Sequence, residues 1–175
     1  FFRDTLICRL QWLLGCVLLS SILFSGSGCT SDRMIKDLTI PISPLVDRLN
    51  LTARGGPRAT DRTLQFLRVN ALDKIYEDNN YAELLPEVEK IVVERPTAEN
   101  LYFLSELSYI AAKRAEPNDP DLACRLYASA IKYSYLYLFD KSFDATRNPY
   151  DPLFRESCDV YNAALEDALK LHIRR

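Results

Sequence analysis

Residues able to carry out chemistry are few in this chain. His172 is its one histidine and lies in the closing run LHIRR. A Ser-His-Asp relay would have to use it, and at that position a histidine is more simply a helix-end residue that suits the dipole. Past residue 28 the only glycines are the adjacent pair Gly55-Gly56, so neither a Gly-x-Ser-x-Gly elbow nor a phosphate-cradling loop is present there. A histidine-based metal site is excluded by count, and no Cys-x-x-Cys or Cys/His spacing suggests zinc. Carboxylates remain, with Glu83 and Glu87 four apart and Glu106 further along. Such groups are usually solvated faces rather than acid–base pairs. The sequence therefore nominates no catalytic residue, no metal ligand and no cofactor.

Cys29 is the residue with a chemical reading of its own. Leu10 to Ser31 carries no charge, its first two-thirds is strongly apolar, and Arg3 and Arg9 precede it. A positive start followed by an apolar stretch fits a secretory signal. Ser27-Gly28-Cys29 then resembles the end of a bacterial lipoprotein signal, where cleavage precedes a cysteine that receives the lipid. Gly26 departs from that pattern, which usually has an aliphatic residue three before the cysteine. An uncleaved anchor and an ordinary cleaved signal are the alternatives, since about 20 apolar residues suffice to cross a bilayer. All three put the remainder outside the cytoplasm, because Arg9 stays on the cytoplasmic side.

Cys8 and Cys16 fall within the signal, leaving Cys124 and Cys158 as thiols in a compartment that permits a disulfide. A bridge needs Cα atoms within roughly 7 Å, and two separately buried thiols are an equally good reading. The most distinctive stretch holds Tyr133, Tyr135, Tyr137 and, beyond Asp140, Tyr150. Tyrosine buries area while keeping a hydroxyl for a partner. These four form either a docking surface or a tyrosine-rich seam in the core.

What must position these residues is a helical domain. The 175 residues, 48% hydrophobic and 26% charged, are one domain's worth of chain. A net charge of −2, with 22 basic and 24 acidic residues, excludes a strongly basic nucleic-acid binder. Residues 1–28 are read as signal or anchor and 29–60 as an extended tether, rich in Pro and Gly with no sustained period. Residues 61–175 are read as about five helices. Asp61 opens a segment with Leu64, Leu67 and Ala71 on one face. Asn79 or Asn80 opens the next, with Leu84, Leu85, Val88, Ile91 and Val92 on a buried stripe and Pro96 as its stop. Thr97, Asp119-Pro120 and Asp151-Pro152 start three more. The last runs to about Ile173 and places Val160, Tyr161, Ala164, Leu165 and Leu169 inward. No alternating strand is evident, so the fold class is all-α.

Ala123, Tyr127 and Ala130 have the small–aromatic–small spacing of the second helix of a tetratricopeptide repeat, and Ser157, Tyr161 and Ala164 repeat it 34 residues on. The Arg147 to Pro152 stretch interrupts what should be a first helix. A repeat-like stack of helical hairpins and a plain antiparallel bundle both fit. The run from Leu101 through Ala168, above all in the segments SYLYLFD and RNPYDPLFRESCDVYNAALEDAL, resembles the helical N-terminal region of bacterial envelope α/β-hydrolase-like lipoproteins. The resemblance implies a signal, a tether and a helical region ahead of a larger hydrolase domain, none of whose catalytic positions has a match here. It also reads the Phe1 start and the LHIRR end as those of a fragment. Two functions are therefore expected: a non-catalytic, membrane-tethered module of the bacterial cell envelope that binds a protein or spaces a domain, or the front of an envelope hydrolase. Either implies a membrane partner through lipid or anchor, and neither a nucleic acid nor a cofactor.

Overall fold

A computed structural model describes residues 44–51 and 56–173. Cys29, the apolar run from Leu10 and the tether up to residue 43 lie outside them. Among the described residues the chain is all-α, with seven helices and no strand. They are α1 (Pro44–Arg48), α2 (Asp61–Val69), α3 (Asp73–Glu77), α4 (Tyr81–Glu94), α5 (Ala98–Ala115), α6 (Pro120–Phe139) and α7 (Pro152–Ile173). All belong to one compact unit, and none is long and apolar enough to cross a membrane.

The three short helices close in the same way. In α1, α2 and α3 the chain turns through a left-handed residue, Asn50 (φ 50°), Ala71 (φ 57°) and Asn79 (φ 56°). Each is bracketed by one long and one short backbone bond: Leu51 N–H to Val46 O with Asn50 to Asp47, Leu72 to Leu67 with Ala71 to Arg68, and Asn80 to Ile75 with Asn79 to Tyr76. This is the Schellman arrangement, which satisfies the last carbonyls of a helix. Asparagine tolerates the left-handed region; alanine does so at a cost of roughly 1 kcal/mol. Ala71 is exposed rather than on the buried face expected of it, and the segment opened by Asp61 ends at Val69, with a turn before Asp73 starts the next helix.

The tether ends earlier than residue 60. Leu45 and Leu49 are fully buried, Arg48 reaches Glu156 and Asp159 on α7, and Arg58 N–H donates to Leu49 O at 2.7 Å. A five-residue helix is too short to show a period, so two buried leucines look like loop sequence.

The longer helices start where the capping residues put them. Thr97 accepts from Asn100 N–H at 3.2 Å, Asp119 from Leu122 N–H at 2.9 Å and Asp151 from Leu153 N–H at 2.9 Å. Pro86 sits in the second turn of α4 and is tolerated there. At the far end of α6, Arg147 Nη1 donates to Tyr137 O at 2.7 Å and Asp140 O at 3.2 Å, satisfying carbonyls the helix leaves open.

α5 is the hub. Every residue from Leu101 through Ala112 is buried, including Ser105, Glu106 and Ser108, because α2, α4, α6 and α7 all pack on it. Tyr102 of α5 lies level with Tyr137 of α6 and Glu156 of α7, while Tyr109 lies level with Tyr127 and Asp167. Thus α5 and α7 run parallel, with α6 antiparallel to both. Ala123, Tyr127 and Ala130 are fully buried.

That geometry separates the two cysteines, both of which are free. Cys158 lies near Tyr137, thirteen positions along α6 from Cys124. At 1.5 Å per residue that is roughly 20 Å, well beyond the reach of a disulfide. The bridge considered from sequence is therefore corrected to two separate, half-buried thiols.

Candidate functional site

The polar groups that α5 carries inward are tyrosines, one glutamate, and Ser105 and Ser108, whose hydroxyls donate to the helix's own Tyr102 and Leu104 carbonyls. Glu106 is fully buried. Its Oε1 accepts from Thr60 N–H at 2.6 Å, and its Oε2 accepts from the Thr60 and Thr63 hydroxyls at 2.9 Å each. Burial pushes its carboxyl above the usual glutamate range, against the opposing pull of Tyr102, Thr60 and Thr63. With both oxygens occupied and no surface exposed, this carboxyl cannot reach a substrate. It fastens residues 56–60 and the first turn of α2 onto α5.

Tyr102 stands beside Glu106 and directs its hydroxyl to Glu156 Oε2 at 3.0 Å. Arg48 completes that end by pairing with Glu156 and Asp159, each at 3.5 Å. At the opposite end Tyr109 donates to Asp167 at 3.0 Å and Tyr127 to Glu116 at 2.7 Å, and Lys113 Nζ joins the two carboxylates at 3.3 and 3.1 Å. Tyr133 donates to Glu89 on α4. In each case the ring fills the core while the hydroxyl meets a carboxylate at the rim.

The four tyrosines singled out from sequence therefore separate. Tyr133 and Tyr137 are buried, whereas Tyr135 is 52% and Tyr150 95% exposed. Half of the expected docking surface is core. Leu165 and Leu169 depart from expectation in the other direction, at 39% and 53% exposed. Tyr135 and Phe139 on α6 lie 5.0 Å apart, Phe139 and Tyr161 on α7 6.3 Å apart, and Leu165 and Leu169 continue the row at four-residue steps. The outer side of the α6–α7 pair thus carries a contiguous apolar stripe.

The remaining candidates are surface residues. His172 is exposed in the last turn of α7. Glu83 accepts from Asn80, and Glu87 pairs with Lys90. Glu106, Tyr102 and Tyr109 went unnoticed as a set, although an acidic residue inside the run LYFLSELSYIAA was the signal for a buried, satisfied carboxylate.

Burial raises the ionisation of six tyrosines. Tyr137 is pushed up to about 12, and Tyr81, Tyr102, Tyr109, Tyr127 and Tyr133 go higher still. The folded chain then holds these protons more tightly than the unfolded one. The stability they confer is complete below the ordinary tyrosine value near 10 and is lost as pH rises past it. An ultraviolet titration should show these six ionising only together with alkaline unfolding followed by circular dichroism. Smooth ionisation of all ten tyrosines before the helical signal falls would contradict the buried seam.

No protein family, no characterised protein and no solved structure matches this chain.

Proposed function

We propose that this chain is a non-catalytic, extracytoplasmic helical module of a bacterial cell envelope, tethered to the membrane at Cys29 and built to engage a protein surface. The observation that carries the interaction half of this reading is the apolar stripe of Tyr135, Phe139, Tyr161, Leu165 and Leu169, since contiguous apolar surface of this kind marks contact sites. The tethering half rests on the uncharged run from Leu10 and the small residues before Cys29. The small–aromatic–small spacing of Ala123, Tyr127 and Ala130 supports a repeat-like arrangement of α5 and α6.

The test is intact mass and membrane partition of the chain expressed with its first 28 residues, beside Cys29→Ala. A diacylglyceryl-sized mass lost on substitution, together with release from membranes, is the expected result. Equal mass and equal partition would sink lipidation and leave an anchor or ordinary secretion.

A second reading, the front of an envelope α/β-hydrolase, is favoured by where the resembling segments fall. They lie at the end of α6 and along α7, so the same stripe would meet the catalytic domain. An open frame beyond Arg175 that encodes Gly-x-Ser-x-Gly and a later histidine would support it; an immediate stop would remove it.

A further inference from the structure

Along α7, Phe154, Cys158, Tyr161, Leu165 and Leu169 follow one another at steps of three and four, so they share one face. Leu165 and Leu169 are exposed and the other three are half-buried. The two flanks of this face differ. On one side stands α6, with Phe139 6.3 Å from Tyr161 and Tyr135 beside it. On the other, about 80–100° around the axis from Leu165, stand Arg155 and Glu166, both exposed. Glu166 pairs with Lys170, while Arg155 has no ion-pair partner among the described residues. One flank is thus aromatic, and the other holds a charge of each sign three turns apart.

The geometry points to a second copy of this chain as the occupant of the face, with α7 packed antiparallel on α7 about a twofold axis between Val160 and Tyr161. This rests on the reading of the stripe as a contact surface and names what meets it. A twofold axis perpendicular to the helices keeps each flank beside its own counterpart. Leu165 then seats between Phe154 and Cys158 of the other copy, and Leu169 lies on Phe154. Arg155 of each copy faces Glu166 of the other, and Tyr135 and Phe139 meet their own counterparts. Sliding one copy seven residues toward the helix C-terminus would set Arg155 against Ile173 and Glu166 against Asn162, losing both charge pairs. Seven residues the other way, Leu165 and Leu169 would overhang the start of α7. A parallel pairing would lay the charged flank on the aromatic one. Charge complementarity therefore selects both direction and register. At about 200 Å² per large side chain, Tyr135, Phe139, Leu165 and Leu169 expose roughly 400 Å² before the half-buried residues and the charged flank are added. Stable interfaces take about 800 Å² per partner, so the dimer is a reversible one.

The test is sedimentation equilibrium of the full chain in density-matched detergent at pH 7. Wild type is expected as a reversible dimer at about 100 μM. Leu165→Glu, at an exposed position, should keep the helical melt and weaken association about a hundredfold or more. Arg155→Glu and Glu166→Arg should each weaken it about tenfold alone. An equimolar mixture of those two should recover wild-type affinity, because each like-charged flank then meets its opposite. A monomeric wild type would overturn the second copy as occupant and leave the stripe to a different protein, with the tethering reading still decided by mass and partition. A dimer unmoved by Leu165→Glu would put the association elsewhere and overturn the face. A mixture no tighter than its two components would overturn the antiparallel register.

Discussion

Glu106→Ala is expected to destabilise the chain by about 3–5 kcal/mol, while Glu106→Gln should cost far less at neutral pH. Alanine leaves a cavity at the centre of α5 and strips the acceptor from Thr60 N–H and from two threonine hydroxyls. Glutamine keeps the shape. Its carbonyl can accept from Thr60 N–H, and its amide can donate to the same hydroxyls once they rotate. The pH dependence follows from the raised carboxyl of Glu106. A group that binds its proton more tightly when folded contributes stability in full below its unfolded value, near 4.3, and loses it as pH rises through the folded value. Tyr102 faces Glu106 directly and Glu156 lies one hydroxyl further, so no cation touches the carboxylate to reverse that sign. Urea melts of wild type and Glu106→Gln should therefore diverge in favour of glutamine as pH is raised from 4.5 to 8. A glutamine variant as unstable as the alanine one at pH 7, or a gap that ignores pH, would refute the fastening role.

How much of this was visible beforehand depends on whether a feature is local. Thr97, Asp119-Pro120 and Asp151-Pro152 were readable because an N-cap acts within three residues. The stripe of α4 was readable because one face of it is buried. α5 shows no such stripe, since neighbours cover it on every side and apolar, hydroxyl and acidic residues are all interior. The apolar run around Glu106 hints at burial, but the partners that satisfy it, Thr60 and Thr63, lie more than forty positions away, where no local pattern reaches. Leu45 and Leu49 failed for the reverse reason, a helix too short to have a period. Leu165 and Leu169 continue the helical row but face outward, because nothing in the described residues packs on that side of α7. The tyrosine cluster, by contrast, could have been divided from sequence. Tyr133 and Tyr137 are one helical turn apart and share the face of Ala130 and Ser134, while Tyr135 lies about 200° around the axis from Tyr133.

That division yields the second large effect. Tyr127 is fully buried, its ring lies 5.7 Å from that of Tyr109, and its hydroxyl bonds Glu116 at 2.7 Å. Tyr127→Ala should cost about 3–5 kcal/mol, from the lost aromatic volume and the stranded contact. Tyr127→Phe keeps the ring and should cost about 1–2 kcal/mol, because a hydrogen bond to a carboxylate is worth more than one between neutral groups. Tyr135→Ala, on the exposed stripe, should move stability by no more than about 0.5 kcal/mol. Thermal melts of the three variants separate the roles. If tyrosine served the same purpose throughout α6, the buried and exposed positions would respond alike. If Tyr135→Ala proved as damaging as Tyr127→Ala, the apolar stripe would be part of the core, and the interaction reading would lose the surface it rests on. The opposite result, a stable Tyr135→Ala chain, leaves that surface free to be tested for a partner without confusing lost binding with lost folding.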